Sequence, residues 1–138
     1  SNDGKNWTPY PFRYKPQDPY QAPGIYAPYQ PRFEWNLWFA SLADWRNNKW
    51  VVRTEERLLL NQKDVLSLFA RNPFASAPPQ KMRVVIWQYW FTTLAEKHRT
   101  GAWWNRKLLG EYAPGIERMP NGDLVFTSEQ EEPQTDQR

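Results

Sequence analysis

The sequence contains no cysteine and a single histidine, His98. Without cysteine these 138 residues can form neither a disulfide framework nor a thiolate nucleophile, and cysteine usage gives no information about the cell compartment. A zinc site needs three or four closely spaced ligands, and one histidine without cysteine argues against such a site. His98 follows Glu96 and Lys97 in a polar stretch, so we expect a solvated loop histidine and not the base of a catalytic triad.

Long apolar runs, phosphate-binding loops and a dominant charge are also missing. No apolar stretch approaches the roughly 20 residues that span a bilayer, and no Gly-rich phosphate loop is present. The net charge is only +3, with basic residues spread among acidic ones, which argues against nucleic acid as a partner. Glu34 and Glu111 are the one carboxylate pair that we considered for glycosidase chemistry, and nothing local supports it. We therefore predict no enzyme activity, no cofactor and no metal.

Proline and tryptophan, by contrast, are abundant. The chain has 13 prolines and 9 tryptophans, while its 40% hydrophobic and 24% charged residues are typical of globular proteins. A chain of this length builds one domain with its own core. We therefore expect a single domain over residues 1–127 and a disordered polar tail over residues 128–138.

The tryptophans allow two interpretations. They can fill a hydrophobic core, or Trp90, Trp103 and Trp104 can expose flat faces that stack on sugar rings or cover apolar segments of another protein. Arg106 could add a hydrogen-bonding fork beside them. The sequence alone leaves both uses open.

One aromatic stretch predicts the central helix of the domain. Pro31 suits the first helical position, and the helical pattern continues to about residue 45 without another proline or a glycine. Large apolar residues recur at helical spacing along one broad stripe, whereas three polar residues mark a narrow edge. The stripe contains Trp35, Trp38, Phe39, Leu42 and Trp45, and the edge contains Glu34, Ser41 and Asp44. The pattern predicts a helix that is covered on most sides.

Arg32 and Asn36 are exceptions on this helix. They are four residues apart and roughly opposite Glu34, so they should project from the covered side. A buried guanidinium requires partners. Arg32 therefore either binds carbonyls or a carboxylate inside the domain, or lines a recognition surface together with Asn36.

The rest of the chain predicts an α+β fold. We expect about three helices packed on one side of a small antiparallel sheet. Alternation with prolines on one side predicts an edge strand at residues 6–15, followed by an extended proline-rich arm. A second helix is expected at residues 49–60, with Arg53, Glu55, Glu56 and Arg57 on a solvated face.

The second half contains the strongest strand signal. Residues 82–93 are apolar on both faces, which predicts a central strand or a face left for a partner. A polar connection at residues 94–100 and a strand at residues 102–112 are expected to follow. The dipeptide Asn121-Gly122 then predicts a hairpin turn.

The first residues also predict a turn. Asp3 and Gly4 precede a strand-like segment, so they resemble the middle of a β-hairpin whose first strand lies upstream of Ser1. We therefore expect the chain to be part of a longer protein.

Several separated motifs of the chain resemble the lipase maturation factor family. They are Phe12-Arg13-Tyr14-Lys15-Pro16-Gln17-Asp18, Ala27-Pro28-Tyr29-Gln30-Pro31-Arg32, Phe33-Glu34-Trp35, Leu37-Trp38-Phe39-Ala40-Ser41-Leu42, Asn72-Pro73-Phe74 with Pro78-Pro79, Tyr89-Trp90-Phe91-Thr92, Gly101-Ala102-Trp103-Trp104-Asn105-Arg106 and Gly110-Glu111-Tyr112-Ala113-Pro114. In this order the motifs extend over nearly the whole chain, to about Pro114. Tyr29 replaces a histidine of the family pattern and Glu34 replaces an aspartate.

This resemblance implies a non-enzymatic domain that assists folding, assembly or maturation of a secreted client protein, a lipase in the family. It also implies a multi-pass membrane segment upstream and a position on the non-cytoplasmic side, in the endoplasmic reticulum lumen or the bacterial periplasm or exterior. The family-motif and candidate client-binding residues are Tyr29, Arg32, Glu34, Trp35, Asn36, Trp38, Trp90, Trp103, Trp104 and Arg106. A carbohydrate-binding module with aromatic platforms is the alternative.

Overall fold

A computed structural model describes residues 1–24 and 31–127 of the chain. In the described part, the helices are α1 (Arg32–Ala40), α2 (Trp50–Leu59), α3 (Lys63–Leu66) and α4 (Leu94–Thr100), with a 3₁₀ turn at Trp45–Asn47. The strands are β1 (Lys81–Phe91), β2 (Trp104–Arg118) and β3 (Leu124–Thr127). The predicted α+β class is confirmed, with three helices of seven or more residues and one shorter helix. None of the helices in these ranges is long and apolar enough to cross a membrane.

The three strands form one antiparallel sheet in the order β1-β2-β3. The register pairs Phe91 with Trp104 and Met82 with Ile116, and the extra residues at its three irregularities all lie in β2. The strand predicted at residues 82–93 is therefore present. Of the two predicted alternatives, a central strand or a face left for a partner, the described residues do not show the first, because they place β1 at an edge of the sheet.

Helix α2 supplies much of the core beneath the sheet. The buried apolar cluster contains Val52, Leu58, Leu59, Val65, Phe69, Met82, Ala113 and Ile116. Burial of each of the larger apolar side chains stabilises the folded domain by roughly 1.5–3 kcal/mol. Glu55 lies on the same face of α2 and is only 1% exposed. The prediction that Glu55 is solvated is therefore wrong, because α2 turns this position toward the core.

Residues 6–15 do not form the predicted edge strand. Pro9 and Pro11 have no N–H to give to a sheet, and the segment runs as irregular chain. The apolar side chains of the expected strand still reach the core, since Tyr10 and Phe12 both pack against Phe69 at ring-centroid distances of 5.4 and 5.8 Å. Tyr10 and Phe12 of the predicted apolar face therefore reach the core, whereas Tyr14 of the same face is 47% exposed and the backbone does not form a strand.

The predicted polar connection at residues 94–100 is helix α4. The hydroxyl of Thr93 accepts a hydrogen bond from the backbone N–H of Glu96, and the Glu96 carboxylate accepts one from the N–H of Thr93. This capping box and Gly101, which ends the helix at φ +75°, are both visible in the sequence. His98 lies exposed in the last turn of α4.

The predicted hairpin near the end of the chain is present between β2 and β3. Arg118 pairs with Leu124, and the N–H of Met119 donates to the carbonyl of Asp123 across the loop. Gly122 has φ +92°, a conformation that favours glycine. The Asn-Gly signal therefore located the turn, although the loop spans more than two residues.

Candidate functional site

Helix α1 faces the opposite way from the prediction. Glu34, expected on the polar edge, is 3% exposed, whereas Trp35, Trp38 and Phe39 are 40%, 46% and 50% exposed. The helix ends at Ala40, and the chain turns before Trp45. The aromatic stripe that the sequence assigns to the core is therefore largely on the surface.

Buried Glu34 is held by the backbone of the preceding segment. Its Oε1 accepts a hydrogen bond from the N–H of Arg13 at 2.8 Å, and its Oε2 accepts from the N–H groups of Tyr14 at 3.1 Å and Lys15 at 2.7 Å. A buried carboxylate is stable only with such partners. Glu34 thus fixes residues 13–15 against α1 and determines which face of α1 remains exposed.

Three of the exposed rings contact one another, and with the exposed Leu42 that follows the helix they make up what we call the α1 patch, defined as Trp35, Trp38, Phe39 and Leu42. The two indoles lie 5.2 Å apart between ring centroids, and Phe39 lies 5.3 and 5.0 Å from them. Leu42 extends the patch and is 68% exposed. Contiguous apolar surface of this kind marks binding sites for other molecules.

A cleft of about 270 Å³ lies at one side of the α1 patch. Its lining residues are Tyr14, Lys15, Pro16, Pro31, Glu34, Trp35 and Trp38. Burial lowers the pKa of the Lys15 amine, and the charge of nearby Glu34 opposes that shift. The cleft therefore combines apolar walls with the Lys15 amine and the Glu34 carboxyl group.

Arg32 and Asn36 are exposed beside this surface. The expectation that they project into a covered side is wrong, because that side of α1 has nothing packed over it in the described ranges. The Arg32 guanidinium has no hydrogen bond or ion pair with the described residues, which removes the internal role considered for it. Both side chains therefore face solvent, and the recognition role considered for them stays a prediction.

Trp104 and Arg106 bind the proline-rich arm. The Trp104 indole N–H donates to the carbonyl of Gln21 at 2.9 Å, and the Arg106 guanidinium donates to the carbonyl of Gln17 at 3.0 Å. Arg106 also lies 4.4 Å from the ring centroid of Trp87, and Trp104 stacks on Phe91. These two candidate residues therefore hold the arm against the sheet.

Trp90 and Trp103 differ in exposure. Trp103 is half-buried beneath the Lys97 amine, which lies 3.0 Å from its ring centroid. Trp90 is 46% exposed and lies near two other exposed apolar residues in sequence, Phe91 and Leu94.

Phe39, Leu42, Phe91 and Leu94 are exposed apolar residues that the sequence did not indicate as candidates. Phe39 and Leu42 belong to the apolar stripe that the sequence predicts for the central helix. The sequence pattern assigned that stripe to the core and not to a binding surface. Tyr29 lies outside the described residues, as does the tail at residues 128–138. Their predicted roles stay predictions.

Comparison with known proteins gives a consistent result. A family model described as the lipase maturation factor C-terminal domain matches residues 1–114. The chain is 38% identical over 128 residues to lipase maturation factor 1 of Bos taurus and 37% identical over 121 residues to lipase maturation factor 2 of Gallus gallus. It is 37% identical over 112 residues to lipase maturation factor 1 of Homo sapiens.

These alignments cover 90%, 84% and 80% of the chain but only 22%, 17% and 20% of the three relatives. The chain thus spans about a fifth of the length of the curated relatives it matches. No solved structure matches the chain.

Proposed function

The chain belongs to the lipase maturation factor family, and from this premise we propose that it binds client proteins during their maturation. The clients are lipases or other secreted hydrolases, in keeping with the names of the relatives. The domain acts without catalysis, by covering apolar surface of a client that has not completed folding or assembly. A membrane segment elsewhere in the longer protein holds it on the non-cytoplasmic side.

The α1 patch carries this proposal. Trp35, Trp38 and Phe39 contact one another while a large part of each ring faces solvent. Aromatic side chains give large contact area with little loss of conformational entropy, and they dominate the energetics of protein interfaces. Exposed aromatic surface is costly in water, and a client-binding role accounts for it here.

The surroundings of the patch suit binding of a peptide segment. Glu34 holds residues 13–15 in place, so the cleft wall formed by Tyr14 and Lys15 is set before a client arrives. A preformed site loses less entropy on binding than a flexible one. The exposed Arg32 at the rim can hydrogen-bond to a carbonyl or a carboxylate of the client.

The carbohydrate-binding alternative has no support from the comparisons. Within the described part of the chain, the α1 rings meet at interplanar angles of 49°, 74° and 57° and do not form a coplanar platform. We therefore retain client protein as the proposed ligand.

We test the proposal in the full-length protein with the double variant Trp35→Ala, Trp38→Ala, coexpressed with a lipase client. Loss of two interface aromatics of about 2 kcal/mol each, about 4 kcal/mol together, should weaken client binding roughly 700-fold. The measurement is photo-crosslinking of the client from a photoreactive residue at Phe39, together with the activity of the secreted lipase per unit of lipase protein. Both should fall.

A matched control replaces two exposed leucines outside α1, with Leu60→Ser and Leu94→Ser. It removes exposed apolar area at sites outside the α1 patch, so it should leave crosslinking and lipase activity unchanged. Urea unfolding of each variant checks that the domain is folded. Client capture that persists in the Trp35→Ala, Trp38→Ala variant and disappears in the control would exclude the α1 patch as the binding site.

A further inference from the structure

The cleft beside the α1 patch contains a lysine amine in largely apolar surroundings. Lys15 lines this cleft together with the indole rings of Trp35 and Trp38 and with two prolines. Its amine lies 6.0 Å from the ring centroid of Phe12, at the limit of the distance for a cation–π contact. Burial lowers the pKa of the amine, so its surroundings disfavour the charged form. The cleft therefore holds a cation that has lost part of its hydration.

Glu34 is the acidic residue of the cleft, and its carboxylate is occupied by backbone groups. Its two oxygens accept hydrogen bonds from the N–H groups of residues 13–15. No ion pair joins the Lys15 amine to this carboxylate, although both belong to the described part of the chain. Among the described residues the amine has no hydrogen-bond acceptor. Because a partly desolvated cation without an acceptor is costly, a ligand that supplies a carboxylate here gains affinity.

A second cation lies on the adjoining surface of α1. Arg32 precedes Trp35 by three residues, a spacing that brings side chains to about 5–6 Å from each other on a helix surface. Arg32 is exposed and has no hydrogen bond or ion pair with the described residues. The groups that can still bind a charged ligand at the cleft and its rim are therefore positive, and the complementary ligand is acidic.

We propose, building on the client-binding function above, that the cleft recognises an acidic side chain of the client, an aspartate or a glutamate beside apolar residues. The client carboxylate accepts hydrogen bonds from the Lys15 amine, and the neighbouring apolar side chains pack on Trp35 and Trp38. The amine and the indoles line one cleft of about 270 Å³. In an extended client segment, the acidic and the apolar residues therefore lie within about three residues of each other.

This arrangement separates affinity from selection. The rings of the α1 patch supply contact area for apolar segments of many different sequences. The Lys15 amine distinguishes among those segments, since a purely apolar one leaves the amine without an acceptor and a basic one places two cations together. The cleft therefore favours clients that expose acidic and apolar residues side by side before they have folded or assembled.

Peptides tiled along the sequence of a lipase client test the proposal with the full-length protein in lipid nanodiscs. Fluorescence anisotropy of each labelled peptide measures binding, and the peptide ends are acetylated and amidated so that no terminal carboxylate is present. The tightest-binding peptides should contain an aspartate or a glutamate beside aromatic or aliphatic residues. Replacement of that residue by its amide counterpart, asparagine or glutamine, should weaken binding about 10-fold.

Lys15→Met should remove this preference for the acidic peptide. The substitution deletes the amine, keeps an unbranched apolar chain in the cleft and retains the backbone N–H that donates to Glu34. The acidic peptide and its amide counterpart should then bind with affinities within about 2-fold of each other. As a matched control, Lys107→Met removes an exposed lysine of β2 that does not line the cleft, and it should keep the preference.

Equal binding of the acidic peptide and its amide counterpart by the unsubstituted protein overturns the proposal. If Trp35→Ala, Trp38→Ala then abolishes binding of both peptides, the client-binding function stands without acidic recognition. A preference that persists in Lys15→Met also overturns the proposal, because the carboxylate then binds elsewhere.

Two further outcomes identify a different ligand. If no tiled peptide binds while the client still crosslinks from Phe39, the client is recognised through a folded surface and the acidic-segment proposal fails alone. If that crosslinking is also absent, the proposed function fails with it. Decanoate that binds more tightly than any peptide, and loses binding in Lys15→Met, overturns the proposal in favour of a lipid carboxylate.

Discussion

The free energy of unfolding should fall by about 4 to 5 kcal/mol in total as pH rises from about 4.5 to about 8, and Glu55 is the cause. Burial, together with the charges of Glu111 and Glu56, raises the pKa of the Glu55 carboxyl from its ordinary value of 4.5 to about 8. Among the described residues, neither carboxyl oxygen of Glu55 has a hydrogen-bond partner. The folded domain therefore holds this group in its neutral form at pH 7.

The sign follows from the protons bound in each state. Between pH 4.5 and about 8, Glu55 is protonated in the folded domain and ionised in the unfolded chain, so the folded state binds one more proton and stability decreases with rising pH. The slope is about −1.4 kcal/mol per pH unit in this window and returns to zero above about pH 8. The stabilisation by protonation is complete below pH 4.5.

Urea unfolding between pH 5 and pH 9 measures this slope, and Glu55→Gln should remove most of it. The amide cannot ionise, although its own unsatisfied polar atoms lower stability at acidic pH. The Ser1 amino group has a pKa lowered by burial, which acts in the opposite direction, so the difference between the two profiles isolates Glu55. Glu56→Gln on the same helix should keep most of the slope. Equal slopes in Glu55→Gln and the unsubstituted chain would contradict the prediction.

The sequence predicted the fold class because apolar patterning survives in the folded chain. Strand β1 and helix α2 were found because their periods are regular, and the turn of the β2–β3 hairpin was found because Asn-Gly favours it. Helix α4 was missed although Thr93, Glu96 and Gly101 form a complete set of helix end signals. The polar composition of that segment outweighed its capping signals in the prediction.

The orientation of α1 could not be obtained from its own sequence. A hydrophobic stripe states which residues share a face, and it does not state whether that face meets the core or a partner. The deciding contacts come from Arg13, Tyr14 and Lys15, about 20 residues earlier, whose N–H groups converge on Glu34. Only the three-dimensional structure shows that these N–H groups converge on Glu34. The sequence therefore identified the residues of the apolar stripe, but it placed that stripe in the interior of the domain.

The same cause limited the prediction for the tryptophans. Trp90, Trp103 and Trp104 were grouped as one possible platform from their chain positions. The structure leaves Trp90 exposed, covers Trp103 with Lys97 and uses Trp104 to hold Gln21. The sequence therefore showed which aromatic residues to consider. Tertiary contacts leave Trp90 on the surface and give Trp103 and Trp104 packing roles within the domain.

Glu34→Ala should destabilise the domain by about 3 kcal/mol. The substitution removes one acceptor carboxylate and leaves the N–H groups of Arg13, Tyr14 and Lys15 without their partner. Hydrogen bonds to a charged group contribute roughly 1.5–3 kcal/mol each, and the released segment partly recovers this loss by binding water. Urea unfolding at fixed pH measures the change. Asn36→Ala, an exposed substitution on the same helix, should change stability by less than about 0.5 kcal/mol.

The same substitution separates the shape of the client site from its chemistry. Glu34 contributes only 3% of its surface to solvent although it belongs to the cleft lining, and its main contacts hold the cleft wall that Tyr14 and Lys15 form. If a preformed cleft matters, Glu34→Ala should weaken client crosslinking even at a temperature where the domain is fully folded, because residues 13–15 are no longer fixed. Unchanged crosslinking with the expected loss of stability would mean that the aromatic rings alone bind the client. Unchanged stability would show that the three hydrogen bonds do not hold α1 in place.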